Sequence, residues 1–240
     1  MIIKKTDEDS ALVAAGHLKE GKIVIIPTDT VYGFGGIVDT AENKNHFESD
    51  AKIRAIKGRS ETKPLIQLIA KPEDIFKHTD DEIPQALLEK WPGALTIIVH
   101  NKENADMTTA YRCPGDAWLR RVIELTGSPI FSTSVNRSGS PVLDTLSAIK
   151  SEFEDESALI VDDGDKKNAL PSTLHIHLEP PEAAASAMLT MDGIVFSRLP
   201  DELMVDAAVH TLSVSAPGYE TISVSYPFEG REQYDMQGSL

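Results

Sequence analysis

Residues 23–26 read Ile-Val-Ile-Ile, a run with no polar member, closed by Pro27 and followed at once by a polar, glycine-rich segment. A strand with one face in water alternates apolar and polar side chains, whereas an unbroken apolar run of strand length must be covered on both faces. The chain must therefore place layers on either side of a sheet, which is the α/β arrangement. Further strands are read at 65–69 and 95–99, each broken only by Gln67 or Thr96, and at 129–132 and 159–161. Between them lie stretches with helical spacing. Ala11, Leu12, Ala15 and Leu18 give residues 7–20 an apolar face ending at Gly21. Helices are also predicted over about 41–56, 116–125 and 145–153. Residues 108–113 and 173–178 read as strands, and the Asp192-Gly193 pair signals a hairpin turn. These elements predict an α/β fold with a mixed parallel and antiparallel sheet.

The character changes after about Leu199. Residues 201–240 hold one basic residue, Arg231, against seven acidic ones. Two short β-like segments, 210–215 and 221–225, flank Ala216-Pro217-Gly218 and read as a hairpin. The expected division is a main domain over 1–200 and an acidic extension over 201–240. In that extension the hairpin would pack on the main domain or a second subunit, and the end from about Glu229 would be flexible.

The formal net charge is −15, which opposes a broad basic surface gripping a nucleic-acid backbone. One cysteine, Cys113, precludes an internal disulfide. No apolar stretch has the length to cross a bilayer, and the first nine residues lack the apolar core of a secretion signal. A cytoplasmic protein without membrane attachment is expected. Against the acidic background, Lys52, Arg54, Lys57, Arg59 and Lys63 cluster in one stretch. Such a cluster forms either a solvated helix face or a concentrated site for a phosphate-bearing ligand.

Three segments and one further arginine carry polar groups of the type that bind anions. Pro27-Thr28-Asp29-Thr30-Val31-Tyr32-Gly33 follows the first buried strand, so Thr28 and Thr30 would stand at a strand's carboxyl end, where open α/β sheets bind ligands. No Gly-Lys-Ser/Thr follows it, so it is not a Walker A loop. Lys57-Gly58-Arg59, with Lys63 just before a strand, suits either a triphosphate or an exposed basic loop. Ser132-Thr133-Ser134-Val135-Asn136-Arg137-Ser138-Gly139 suits phosphate oxygens, a ribose, or plain turn-capping. Arg112 would hold a carboxylate or form a surface ion pair. No His/Cys metal site stands out, and His175 and His177 lack a third ligand.

These segments, with Trp91-Pro92-Gly93-Ala94-Leu95-Thr96 and Pro171-Ser172-Thr173, resemble in order and type the YrdC-type threonylcarbamoyl-AMP synthase family. The resemblance implies a twisted mixed sheet with helices around a large concave cavity. It implies synthesis of threonylcarbamoyl-AMP and pyrophosphate from L-threonine, bicarbonate and ATP, with Mg²⁺ accompanying ATP. A downstream transferase complex would then modify adenosine 37 of tRNA. Carried over by motif, Lys57, Arg59, Ser134 and Asn136 are the expected catalytic set. Thr28, Thr30, Lys63, Arg112, Ser172 and Arg198 are the further substrate- and ATP-binding residues. Within that set, Thr28, Ser134, Arg112 and Ser172 fall on the threonine side, and Asn136 and Arg198 on the nucleotide side. Departures are Arg112-Cys113-Pro114-Gly115 in place of Arg-Val-Pro-Asp, and Leu199-Pro200 after Arg198 where glycine is usual. The alternatives are a nucleotide- or RNA-binding module of the same fold without synthesis, and a hydrogenase-maturation carbamoyl-transfer enzyme, which usually carries zinc-finger cysteines that this chain lacks. The charge weighs against direct tRNA binding.

Overall fold

The computed structural model describes residues 1–29, 31–40, 46–58, 65–138, 140–166, 172–179, 186–191, 194–196, 203–205, 209–227 and 233–239. In chain order the elements are β1 (Ile2–Lys4), α1 (Ser10–Lys19), β2 (Val24–Pro27), β3 (Tyr32–Ile37), α2 (Ser49–Lys57), β4 (Ile66–Leu68), α3 (Gln85–Leu88), β5 (Thr96–Asn101) and β6 (Asn104–Arg112). There follow α4 (Ala117–Thr126), β7 (Ile130–Ser134), α5 (Leu146–Phe153), β8 (Leu159–Asp162), β9 (Ser172–Glu179), β10 (Met188–Met191), β11 (Ile194–Phe196), β12 (Leu203–Val205), β13 (Val209–Ser215), β14 (Ile222–Pro227) and β15 (Gln233–Ser239).

Among the described residues the main sheet runs β1-β8-β2-β3-β7-β4-β6-β5-β15-β9-β12, and a second sheet runs β11-β10-β13-β14. Pairing is mixed: β1, β8 and β2 are mutually parallel, whereas β3 is antiparallel to both β2 and β7. The all-apolar run behaves as its composition demands. Val24 and Ile26 join a cluster with Ala14 and Leu18 of α1 and Leu119 and Val122 of α4. Ile23 and Ile25 join Ile53 of α2 and Ile149 and Phe153 of α5 on the other face. β8 divides the same way, with Leu159 and Val161 on one side and Ile160 on the other.

Two devices place α2, which matters for the site. Gly36 of β3 lets the helix approach, since a Cβ there would lie 2.8 Å from Ser49 Cβ. At the other end Gly58 takes a left-handed conformation, φ 61°, and its N–H returns to Arg54 and Ala55 carbonyls. The helix starts at Ser49, later than the predicted start near 41; residues 41–45 lie outside the described set.

The hairpin read at 210–225 is β13–β14, and its Leu212, Val214 and Ala216 belong to the same apolar cluster as α1 and α4. Asp192-Gly193 lies outside the described residues; β10 and β11, which flank it in the sequence, pair antiparallel. Where the sequence suggested a loose end from about Glu229, residues 233–239 run as a strand, β15, parallel to both β5 and β9. No helix among the described residues is long and apolar enough to cross a membrane.

Candidate active site

The strands β2 and β7 run in the same direction, so the segments after them leave one edge of the sheet. Thr28 follows β2, Ser134 closes β7, and Asn136 stands two residues beyond it. α2, on the far side of β3, delivers Lys57 to the same edge from its last turn. A cation there is favoured by the negative end of the helix dipole.

Lys57 is only 4% exposed. Its Nζ donates to the Ser134 carbonyl and, at 2.7 Å, to Asn136 Oδ1. Ser134 Oγ donates to that same Oδ1 at 2.8 Å, and Asn136 Nδ2 donates to the Ser140 carbonyl at 2.6 Å. The ammonium also lies 5.6 Å from the centre of the Phe34 ring. Both of these accepting oxygens belong to uncharged groups, a backbone carbonyl and a side-chain amide.

The neighbouring part of the site is built on the loop after β2. Thr28 Oγ1 donates to the Val31 carbonyl at 2.7 Å and accepts from its N–H, which closes the turn. Gly33 permits close packing beneath it, because a Cβ there would lie 3.0 Å from Ser132 Oγ and 3.6 Å from Thr28 Cγ2. Asp29 turns the other way. Its Oδ1 accepts from Arg112 Nη2 at 2.5 Å, and its Oδ2 accepts from the Gly115 N–H at 3.0 Å. Arg112 Nε donates to the Gly93 carbonyl at 3.1 Å, and the Gly93 N–H to the Cys113 carbonyl at 2.8 Å. Arg112 comes from β6, which runs opposite to β7. It joins the site through its side chain rather than through the strand-end rule that places Thr28 and Asn136.

An outer brace holds these loops. Tyr32 Oη donates to the Gly164 carbonyl and accepts from the Asp163 N–H, each at 2.8 Å. Burial pushes the Tyr32 hydroxyl up to about 12, so it stays protonated. Lys5 Nζ bridges Asp116 Oδ2 at 2.5 Å and Asp163 Oδ2 at 3.1 Å, while Asp116 Oδ1 caps α4 at the Leu119 N–H. Cys113 is fully buried, and burial pushes its thiol up to about 12. It is therefore no nucleophile at neutral pH.

Of the expected residues, the structure brings Lys57, Ser134 and Asn136 into one hydrogen-bonded cluster, and places Thr28 on the adjoining loop and Arg112 at the end of β6, tied to that loop through Asp29. Ser172 opens β9 opposite Val205. Thr30, Arg59, Lys63 and Arg198 lie outside the described residues. Arg137, expected with its loop to contact phosphate or ribose, instead donates to Glu152, Glu156 and the Ile56 carbonyl. Asp29 was missed as a partner. It stands inside a motif, but the residue it holds is 83 positions away. A separate cavity of about 650 Å³ opens between Gln67, His78 and Tyr111, and none of the expected site residues among the described ones lines it.

The family model for Sua5, YciO and YrdC proteins, described as "Telomere recombination", matches residues 16–182. The chain belongs to the Sua5/YciO/YrdC family. The threonylcarbamoyl-AMP synthase of Pyrococcus abyssi is 30% identical over 230 residues, covering 90% of this chain and 65% of that relative. That of Pseudoalteromonas translucida is 28% identical over 181 residues, covering 70% of this chain and 94% of the relative. The crystal structure of P. abyssi Sua5 complexed with L-threonine superposes with a TM-score of 0.60 at 30% identity, covering 70% of this chain and 51% of that one. The chain thus spans about half to two thirds of the length of the longer curated relatives it matches.

Proposed function

We propose that this Sua5/YciO/YrdC protein is a threonylcarbamoyl-AMP synthase. It would convert L-threonine, bicarbonate and ATP into threonylcarbamoyl-AMP, pyrophosphate and water. The observation that carries the reading is the Lys57–Ser134–Asn136 cluster: a buried ammonium held by neutral oxygens at the edge where β2 and β7 end. A buried lysine beside the Ser134 hydroxyl and the Asn136 amide serves an incoming polyphosphate. The family relatives, and the L-threonine named with one of them, supply the substrate class.

In the proposed sequence, the threonine amine attacks the bicarbonate carbon, and loss of water leaves a carbamate. A carbamate oxygen then attacks the α-phosphorus of ATP, the bond to the bridging oxygen breaks, and pyrophosphate leaves with the electron pair. Lys57 and Asn136, with Arg59 and Lys63, neutralise the phosphates. Arg112, oriented by Asp29 and Gly93, takes the threonine carboxylate, and Thr28 and Ser134 border the same substrate. No side chain needs to form a covalent intermediate, so the protein's contribution is alignment and charge. Mg²⁺ would enter on the ATP phosphates. The product would pass to a tRNA-modifying transferase in the cytoplasm, and the net charge of −15 disfavours this chain as the tRNA-gripping partner.

The test is incubation with ATP, labelled bicarbonate and each of several amino acids. Threonine-dependent pyrophosphate release with label in an adenylate is expected. ATP binding with no turnover for any amino acid would replace the reading with that of a nucleotide-binding module.

A further inference from the structure

Arg137 belongs to the turn after β7 and follows Asn136 directly, yet its guanidinium points away from the cluster that Asn136 completes. Nη1 donates to the Ile56 carbonyl, and Nη2 to Glu156 Oε1. Nη1 also reaches Glu156 Oε2 at 3.2 Å, and Nε reaches Glu152 Oε1 at 3.1 Å. The guanidinium lies over the Phe153 ring, 4.4 Å from its centre. Glu152 and Phe153 belong to α5, and Glu156 follows it. One side chain therefore ties the turn after β7 to α5 and to the last turn of α2.

The tie ends on Ile56, the residue before Lys57. The final carbonyls of a helix have no partner within it. Here the Ile56 carbonyl is taken by Arg137, and the Lys57 carbonyl accepts from the Ser138 N–H at 2.8 Å. Two consecutive orphan carbonyls of α2 are thus capped by two consecutive residues of the turn. In return, Lys57 Nζ donates to Ser134 and Asn136 of the same turn. Cations near a helix carboxyl end are favourable, and the bidentate pairing with Glu156 restricts where this one can stand.

We propose that Arg137 is a positioning residue that sets the place of Lys57 in the phosphate site by latching the end of α2 to the turn after β7. This rests on the synthase reading for its kinetic consequence but not for its structural one. An exposed ion pair alone adds little. The effect expected here comes from misplacing Lys57 relative to its substrate, where small shifts are costly.

The experiment compares the full-length wild type with Arg137→Met, Arg137→Lys and Glu156→Gln. Methionine keeps an apolar stem over Phe153 and removes the donors. Hydrogen exchange by mass spectrometry reads residues 50–58. Arg137→Met should speed exchange there about tenfold and leave α4 unchanged; Arg137→Lys should recover part of the protection, and Glu156→Gln should fall between. In steady-state assays Arg137→Met should raise KM for ATP about tenfold and leave KM for threonine within about twofold. A merely structural role would instead lower kcat through loss of folded protein and leave both KM values alone. Unchanged exchange at 50–58, or equal rises in both KM values, would overturn the latch. If the wild type releases no threonine-dependent pyrophosphate, the synthase reading falls while the exchange result still decides the latch.

Discussion

The two cationic ends of the site are built on different principles. At the lysine end, Lys57 donates to a carbonyl and an amide oxygen, and its own backbone is capped by the turn that carries them. At the arginine end, Arg112, 3% exposed, donates to the carboxylate of Asp29, which also grips the Gly115 N–H. A carboxylate both orients a cation and offsets its field. The first arrangement, a compact ammonium beside an amide and a hydroxyl, suits a polyanion. The second suits a zwitterion such as an amino acid, which brings an ammonium with its carboxylate.

The sharpest break in this comparison is Lys57→Met. It should lower kcat/KM for ATP by about a thousandfold, because a charge-assisted contact to a phosphate in a water-poor site is lost; pyrophosphate release measures it. Asp29→Asn acts on the other end. It should raise KM for threonine about tenfold and lower stability by about 2 kcal/mol, read as a fall in the urea midpoint, since Arg112 stays buried with its counter-charge gone.

A smaller effect sharpens the view that the arginine end depends on its brace. Burial pushes the Asp163 carboxyl up, but hydrogen bonds from Lys166 and Lys5 outweigh it and hold the group below its ordinary 3.8. A lowered folded value means the stabilisation is present above the ordinary value and lost as pH falls through the folded one. The urea midpoint of the wild type should therefore drop on the acid side of pH 4 by an amount that Asp163→Asn abolishes.

What was legible in the sequence followed from local chemistry. Residues 23–26 announced a strand covered on both faces, and Val24 with Ile26 against Ile23 with Ile25 shows why no polar residue could stand there. That Ser134, Asn136 and Lys57 stand at strand and helix ends was readable because each belongs to a short motif beside such an end; their meeting in one cluster was not, since it joins residues 77 and 79 positions apart. Asp29 and Arg137 were visible in the same motifs, but their roles depend on Arg112, Ile56 and Glu156, which only the folded chain brings near. β15 is polar and irregular in pattern, and it is a strand because β5 and β9 lie on either side of it. No periodicity within residues 233–239 signals that.

Calorimetric titration of ATP into the wild type, Lys57→Met and Asp29→Asn tests the division between the two ends most directly. ATP should bind Lys57→Met at least about thirtyfold more weakly than the wild type and Asp29→Asn within about twofold of it. Equal losses in the two variants, or wild-type affinity in Lys57→Met, would contradict it.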